Sequence, residues 1–237
     1  MHPQIVSSAA VTPNFAEFPL SRPPGSPSAN HLAAIGLFDR KTSGEMLFAE
    51  GDQATSVFEI VHGVLRIVKL LPDGRRQITG FLSAGYLAGL APEGVHVYSA
   101  EAVTEVTLRR YRRAAFERLI DEAPGFAKKL LAVTSHELRQ AQDQMLLLGR
   151  KTAAERIASF LLIIMDRQDS DGSQTVDVPM TRSDIADYLG LTVETVSRTL
   201  TKLKHDRFIA LLTPSRMKIL NLEGLKELAA GSYGTDL

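Results

Sequence analysis

The sequence predicts an α+β chain in three parts: a roll of short strands, one long helix, and a terminal unit of short helices closed by a β-hairpin. Three observations predict it. Between residues 31 and 110, short β-rich pieces are split at close intervals by Gly and turn residues, the texture of a small barrel or roll. From Phe126 to Leu148, apolar or small residues recur at alternating intervals of four and three, which marks one stripe of a long helix. Thr181 to Met217 then reads as helix, tight Gly-containing turn, helix and short hairpin, a helix-turn-helix followed by a wing.

Composition bounds the answer. The 237 residues hold one large or two small domains, and a hydrophobic content of 44% supplies an ordinary core. No apolar run approaches the ~18 residues of a membrane span. The Met1 segment has no basic stretch followed by an apolar one, so it does not read as a signal peptide, and the expected location is cytoplasmic. The chain has no cysteine. Disulfides, thiolate metal sites and Cys-bound clusters are therefore excluded. No nucleophile–base pair, metal-ligand cluster or Gly-rich phosphate loop is present. The expectation is no enzyme activity, no metal and no cofactor.

Residues 1–30 are rich in Pro, Ser and Ala, and read as an extended or disordered arm. Residues 31–123 form the roll domain. Within it His31 to Phe38 read as one short helix, followed by strands at 45–49, 57–62, 64–70, 76–82, 98–102 and 104–110. Turns fall at His62-Gly63 and at Pro72-Asp73-Gly74. His31, His62 and His96 are scattered without ligand spacing and read as surface or capping residues. Arg109, Arg110, Arg112 and Arg113 surround Tyr111 and read as a solvated basic face. A short helix around Phe116, Leu119 and Ile120 is interrupted at Pro124-Gly125.

Residues 124–149 form the long helix. Ala127, Leu131, Thr134, Leu138, Ala141, Met145 and Leu148 make an a/d seam, and Lys128, Lys129, Glu137, Arg139, Gln142 and Asp143 line the rest. A narrow stripe against a charged face predicts a two-fold coiled coil, hence a homodimer. Gly149-Arg150-Lys151 reads as the break and hinge. Residues 150–237 form the third part. Thr152 and Glu155 make a capping box, and Ile157, Phe160, Leu161, Ile164 and Met165 supply core. Asp169 to Gly172 read as a surface turn and Val176 to Pro179 as a short strand. Phe208–Leu212 and Met217–Leu222 flank the wing turn, and Gly231 to Leu237 read as a frayed tail.

Within the helix-turn-helix, Thr181 and Asp184 cap the first helix and Gly190 ends it. Ile185, Ala186 and Leu189 form its apolar face. Thr192 caps the second helix, whose stripe is Val196, Leu200 and Leu203. Val193, Glu194, Ser197 and Arg198 lie on the other face of its first turns. The N-terminal residues of such a helix reach base edges in the major groove. Arg pairs with guanine, Glu accepts from cytosine, Ser meets several bases, and an apolar residue meets the thymine methyl. Arg182, Thr192, Thr195, Thr199, Lys202 and Arg216 are the phosphate candidates. From Thr192 to Lys218, six basic residues face two acidic ones in a chain of zero net charge. The partner predicted by this excess is double-stranded DNA.

The run VETVSRTLTKL from Val193, preceded by TRSDIADYLGL from Thr181, closely resembles the helix-turn-helix of Crp/Fnr transcription regulators. It is most similar to the FixK-type branch. Phe58 to Ile67, with FEIV followed by GVLRI, resembles the cyclic-nucleotide-binding roll of the same superfamily. The resemblance extends over about residues 31–222. It implies a homodimeric activator that contacts RNA polymerase. It also implies that Glu194, Ser197 and Arg198 read a TTGAT-type half-site.

The chain departs from that pattern in two places. Where cAMP-binding members carry a Gly-Glu-Leu segment, it reads Ala88-Gly89-Leu90, and where they carry Arg-Ser it reads Tyr98-Ser99. Without the Arg fork that clamps a phosphate, no cyclic-nucleotide binding is expected. The alternative is a regulator gated by another small ligand between Gly85 and Ser99. The cysteine cluster of Fnr itself is also absent. Ser183 stands in the first turn of the DNA-facing helix, where a cysteine would have a depressed pKa; the genomic sequence decides whether this serine is native.

Overall fold

The computed structural model describes residues 36–91, 93–168 and 174–232. The predicted N-terminal arm, the turn at Asp169 to Gly172 and most of the frayed tail lie outside them. The roll is two four-stranded antiparallel sheets. One has the order β1 (Leu37–Lys41), β8 (Val106–Arg112), β3 (Ser56–His62), β6 (Leu87–Ala88). The other runs β2 (Met46–Phe48), β7 (Ser99–Ala102), β4 (Leu65–Leu70), β5 (Arg76–Leu82). Ile60, Leu65, Ile67, Tyr86, Val106 and Leu108 fill the space between them. Ala88, Ala100 and Ala102 are buried on the strands, and their small side chains let the sheets approach. Gly63 turns β3 into β4 at φ +90°, with no room for a side chain: a Cβ there would lie 2.2 Å from the Glu105 carbonyl oxygen.

Two elements of the roll differ from expectation: the short strand β6, which has no counterpart among the expected strands, and β1. Leu37 and Phe38 belong to strand β1, not to a helix, because Leu37 pairs with Arg110 and Phe38 with Arg109 across β8. Tertiary pairing overrides the local helical pattern there. The rest of that expected helix lies mostly outside the described residues.

Two helices leave the roll. Helix α1 (Arg113–Glu122) seats Phe116 against Tyr111 and Phe126. Helix α2 (Pro124–Arg150) starts with Pro124 in its first turn, a position where the missing N–H costs nothing. At 27 residues it is about 40 Å long. Its packed face carries Phe126, Val133, His136 and Leu147. The predicted seam lies on another face: Leu131, Leu138 and Met145 are 66%, 61% and 70% exposed. Gly149 is helical, so the chain breaks at Lys151 rather than at the glycine.

The third part contains α3 (Ala153–Gln168), β9 (Thr175–Asp177), α4 (Arg182–Leu189), α5 (Val193–His205), β10 (Ile209–Thr213), β11 (Arg216–Ile219) and α6 (Leu222–Ala230). The wing sheet has the order β10-β11-β9. Thr152 and Glu155 bond reciprocally at the start of α3. Helix α6 was not foreseen, although Asn221 caps it by accepting from the Gly224 N–H at 2.9 Å. The core of this part joins Ile157, Phe160, Leu161, Ile185, Val196, Leu200, Ile209 and Leu225 to Val68, Ile78 and Phe81 of the roll.

Candidate nucleic-acid interface

Helices α4 and α5 carry the predicted interface. Thr181 accepts from the Asp184 N–H at 3.1 Å, and Asp184 accepts from the Thr181 N–H at 3.0 Å. Gly190 closes α4 in the left-handed conformation, at φ 61°. Thr192 then accepts from the Thr195 N–H at 3.1 Å to start α5. Val196, Leu200 and Leu203 are buried, so rotation about the helix axis is fixed. Val193, Glu194, Ser197 and Arg198 are all left exposed. Glu194 and Arg198 form an ion pair with each side chain 77% exposed. Such a pair is worth only tenths of a kcal/mol, so it orders the two groups without withholding them.

The phosphate candidates differ in setting. Thr192, Lys202 and Arg216 are exposed, while Thr195 and Thr199 are half-buried. Arg216 meets Asp177 at 3.4 Å on the wing. Arg182 is tucked beneath the wing turn, with Nη2 3.5 Å from the Pro214 carbonyl oxygen. Burial pulls its guanidinium below its ordinary pKa. Its Nη1 is buried without a hydrogen-bond partner. Ser183 is exposed at the start of α4.

The site rests on residues that the sequence did not reveal. The last carbonyls of α4 have no acceptor role inside the helix, yet each is used. Gln77 of β5 donates to Asp187 O at 2.5 Å, and Gln144 of α2 donates to Tyr188 O at 2.9 Å. Arg156 of α3 donates through Nη1 to Leu189 O at 2.8 Å and to Gly190 O at 3.4 Å. The same guanidinium reaches Lys151 O and Leu148 O at the end of α2, each at 2.9 Å. Lys151 donates to Ser159 and to Ala229 O, both at 2.8 Å. Burial lowers the pKa of that amine. These partners are far apart in sequence, so no spacing rule signals them.

In the roll, two readings are corrected. His96 is not a surface residue. It is buried and stacks flat on Phe48, ring centroids 3.7 Å apart. Its Nδ1 has no hydrogen-bond partner, and burial first, then Arg113, lowers its pKa. The basic cluster is not one solvated face. Arg109 turns inward to Glu59, whose carboxylate also accepts from the Tyr111 hydroxyl. Arg113 donates to Ala54 O and Gly89 O. Only Arg110 and Arg112 are exposed. His62 is exposed as expected. Ser99 Oγ accepts from the Glu50 N–H at 2.9 Å, a structural role. Burial pushes Glu137 on α2 up to about 7. Tyr98 is raised by burial and then by Glu137, so an acid and not an arginine stands near the residue that replaces the phosphate clamp.

Two family models match the chain: a cyclic nucleotide-binding domain over residues 40–123 and a Crp-like helix-turn-helix domain over 155–228. The nitrogen fixation regulation protein FixK of Bradyrhizobium diazoefficiens is 46% identical over 188 residues, covering 76% of this chain and 79% of that protein. The chain belongs to the Crp/Fnr family. It is a FixK-type transcription regulator with a helix-turn-helix DNA-binding domain. The transcriptional activatory protein AadR of Rhodopseudomonas palustris is 43% identical over 188 residues, 78% of each chain. Among solved structures, FixK2 from Bradyrhizobium japonicum superposes with a TM-score of 0.77 at 38% identity, covering 82% of this chain and 97% of that one. Family membership accounts for the roll, the long helix and the winged helix-turn-helix together. Among the described residues no helix is long and apolar enough to cross a membrane.

Proposed function

We propose that the chain is a cytoplasmic transcription activator that binds a TTGAT-N4-ATCAA-like palindrome as a homodimer, without cAMP. The observation that carries this reading is the first turns of α5. There Val193, Glu194, Ser197 and Arg198 stand exposed together on a helix whose opposite face is locked in the core. In this reading Glu194, Ser197 and Arg198 read base edges and Val193 meets a thymine methyl. Thr192, Thr195, Thr199, Lys202 and Arg216 hold phosphates and set register. Arg182, half-buried at the start of α4, joins them as a phosphate contact.

The stripe Ala127, Leu131, Thr134, Leu138, Ala141 and Met145 supports the dimer, while Leu148 at its end packs partly buried against the helix-turn-helix core. Three large apolar side chains on it are exposed in the single chain, and a palindrome requires a two-fold axis in the protein. The second reading is gating by another small ligand in the roll between Gly85 and Ser99. RNA polymerase is the protein partner expected of the family. The relatives named for nitrogen fixation suggest target genes of that class.

The test is fluorescence anisotropy on the TTGAT-N4-ATCAA duplex and a scrambled control, at fixed salt with no effector. Tight and selective binding is expected. Equal binding to both duplexes would overturn the base-reading assignment.

A further inference from the structure

We propose that an ionic clamp between the roll and the helix-turn-helix positions the recognition helix, so that its angle to DNA is set by the chain's own fold. The clamp consists of Arg66 on β4, Arg76 on β5, Glu101 on β7, and Asp184 and Asp187 on α4. It deepens the reading above, because it rests on α5 as the base-reading helix.

The geometry is specific. Asp184 is 1% exposed and divides its two oxygens between two tasks. Oδ2 takes the Thr181 N–H and hydroxyl at 3.0 and 2.8 Å and caps α4. Oδ1 takes Arg66 Nη1 at 3.0 Å and Arg76 Nη2 at 3.1 Å from the roll. Arg66 is itself held by Glu101, at 2.7 Å through Nε and 2.6 Å through Nη2. Arg76 Nε reaches Asp187 at 2.8 Å. Planar guanidinium forks fix direction as well as distance. Arg66 and Arg76 come from different strands of one sheet, so together they define an orientation and not a single tether.

Apolar contacts surround these charges. Phe81 of the roll meets Tyr188 of α4 with ring centroids 5.2 Å apart. The carbonyls at the other end of α4 go to Gln77, Gln144 and Arg156, on three different elements. Helix α4 is therefore held at both ends by parts of the chain that do not touch the predicted DNA face. Ile185, Ala186 and Leu189 join it to Val196 and Leu200 in one core, so α5 follows α4. A carboxylate this buried is costly once its cations are gone, which gives the docked arrangement a steep energetic wall.

The test uses the full chain. Because this chain carries no cysteine, Ser43→Cys on the roll and His205→Cys at the end of α5 are unique sites for spin labels. Labelled chain is diluted with unlabelled chain, and the distance between labels is measured by double electron–electron resonance. Without DNA the expected distribution is single and narrow, and adding the palindrome leaves it unchanged. Asp187→Arg or Arg76→Gln alone broadens it, and Arg76→Lys, which keeps a charge beside Asp184 and Asp187, broadens it less. Asp187→Asn is the milder version should a reversal unfold the chain. A broad distribution in the starting protein, a shift on DNA binding, or no change in the single variants would overturn the clamp.

The DNA arm compares palindromes with three, four and five base pairs between half-sites. The starting protein should prefer one spacing by about tenfold or more. Asp187→Asn should reduce that preference to under about threefold while changing single half-site affinity by less than about twofold. An equal loss on every duplex would reveal a merely structural role and overturn the proposal. Equal binding of a half-site and a palindrome by the starting protein would instead refute the dimeric reading. The label distances still decide the clamp in that case.

Discussion

Replacing Arg156 with Met removes a guanidinium that links two helix ends and keeps most of its aliphatic stem. The magnitude follows from the contacts. Three bonds are of good length: Nε to Lys151 O at 2.9 Å, Nη2 to Leu148 O at 2.9 Å and Nη1 to Leu189 O at 2.8 Å. The fourth, to Gly190 O at 3.4 Å, is weak. The ends of α2 and α4 converge here, each with the partial negative charge of its terminal carbonyls. A charged donor contributes about 1.5–3 kcal/mol per bond. Arg156 is half-buried, so water recovers part of each bond, and bonds from one group do not add fully. The expected loss is about 3 kcal/mol, a large share of the ~5–15 kcal/mol that holds a typical domain. Arg156→Lys keeps the charge but lacks the planar fork, and should lose about 2 kcal/mol. The assay is urea unfolding followed by circular dichroism at fixed protein concentration. A loss under about 0.5 kcal/mol for Arg156→Met would refute the reasoning, since it would mean that water satisfies these carbonyls as well as the arginine does.

Three further outcomes are expected. Arg198→Ala should cost about 1–3 kcal/mol of DNA binding and relax specificity at one base pair, whereas Lys202→Ala should weaken all sequences alike and reduce the salt slope by about one; the same uniform loss in both, by anisotropy on single-base site variants, would sink the division of roles. Leu138→Glu should raise the dimer dissociation constant by at least about tenfold without changing the circular dichroism spectrum; an unchanged constant in analytical ultracentrifugation would place the dimer contact elsewhere. Burial lifts Glu137 up to about 7 from an ordinary 4.5, so between those pH values the folded chain keeps a proton that the unfolded chain has lost. Stability should therefore fall as pH rises through that window and level off above it. Glu137→Gln should flatten the profile and be more stable at pH 8 by about 1–2 kcal/mol, allowing for partial solvation; urea midpoints at pH 5 and pH 8 that match the parent would contradict this.

Much of the fold was legible because its determinants are local. The strand at Arg76–Leu82 matches its predicted bounds, and most others shift by one or two residues at their ends. Thr181, Asp184, Gly190 and Thr192 occupy the capping positions that their spacing indicates. Local chemistry also misled. Gly149 reads as a breaker, but nothing crowds or strains it and the helix runs through. Leu37 and Phe38 carry a helical pattern, yet the edge of β8 offers them a ladder. His96 reads as a surface or capping residue because its stacking partner, Phe48, is distant in sequence. The exposed face of α5 could be read from the period of its apolar residues. Its support could not. Arg66 and Arg76 meet Asp184 across more than a hundred residues of chain, and Arg156 serves carbonyls that any residue type would present.

The core shared by Val68, Ile78 and Phe81 with Phe160, Ile185 and Leu200 also bears on how such a chain can be recombined. Modular proteins exchange parts freely when the joint is a solvated linker. Here the joint is a packed surface, with apolar side chains on both sides and ion pairs along one margin. A graft of residues 153–230 onto an unrelated roll would meet water where it now meets Val68, Ile78 and Phe81. A transplant that keeps its fold must carry those three positions, together with Arg66, Arg76 and Gln77, into the recipient. The unit that gene fusion can move intact is thus larger than the winged helix-turn-helix, and it includes one edge of the roll.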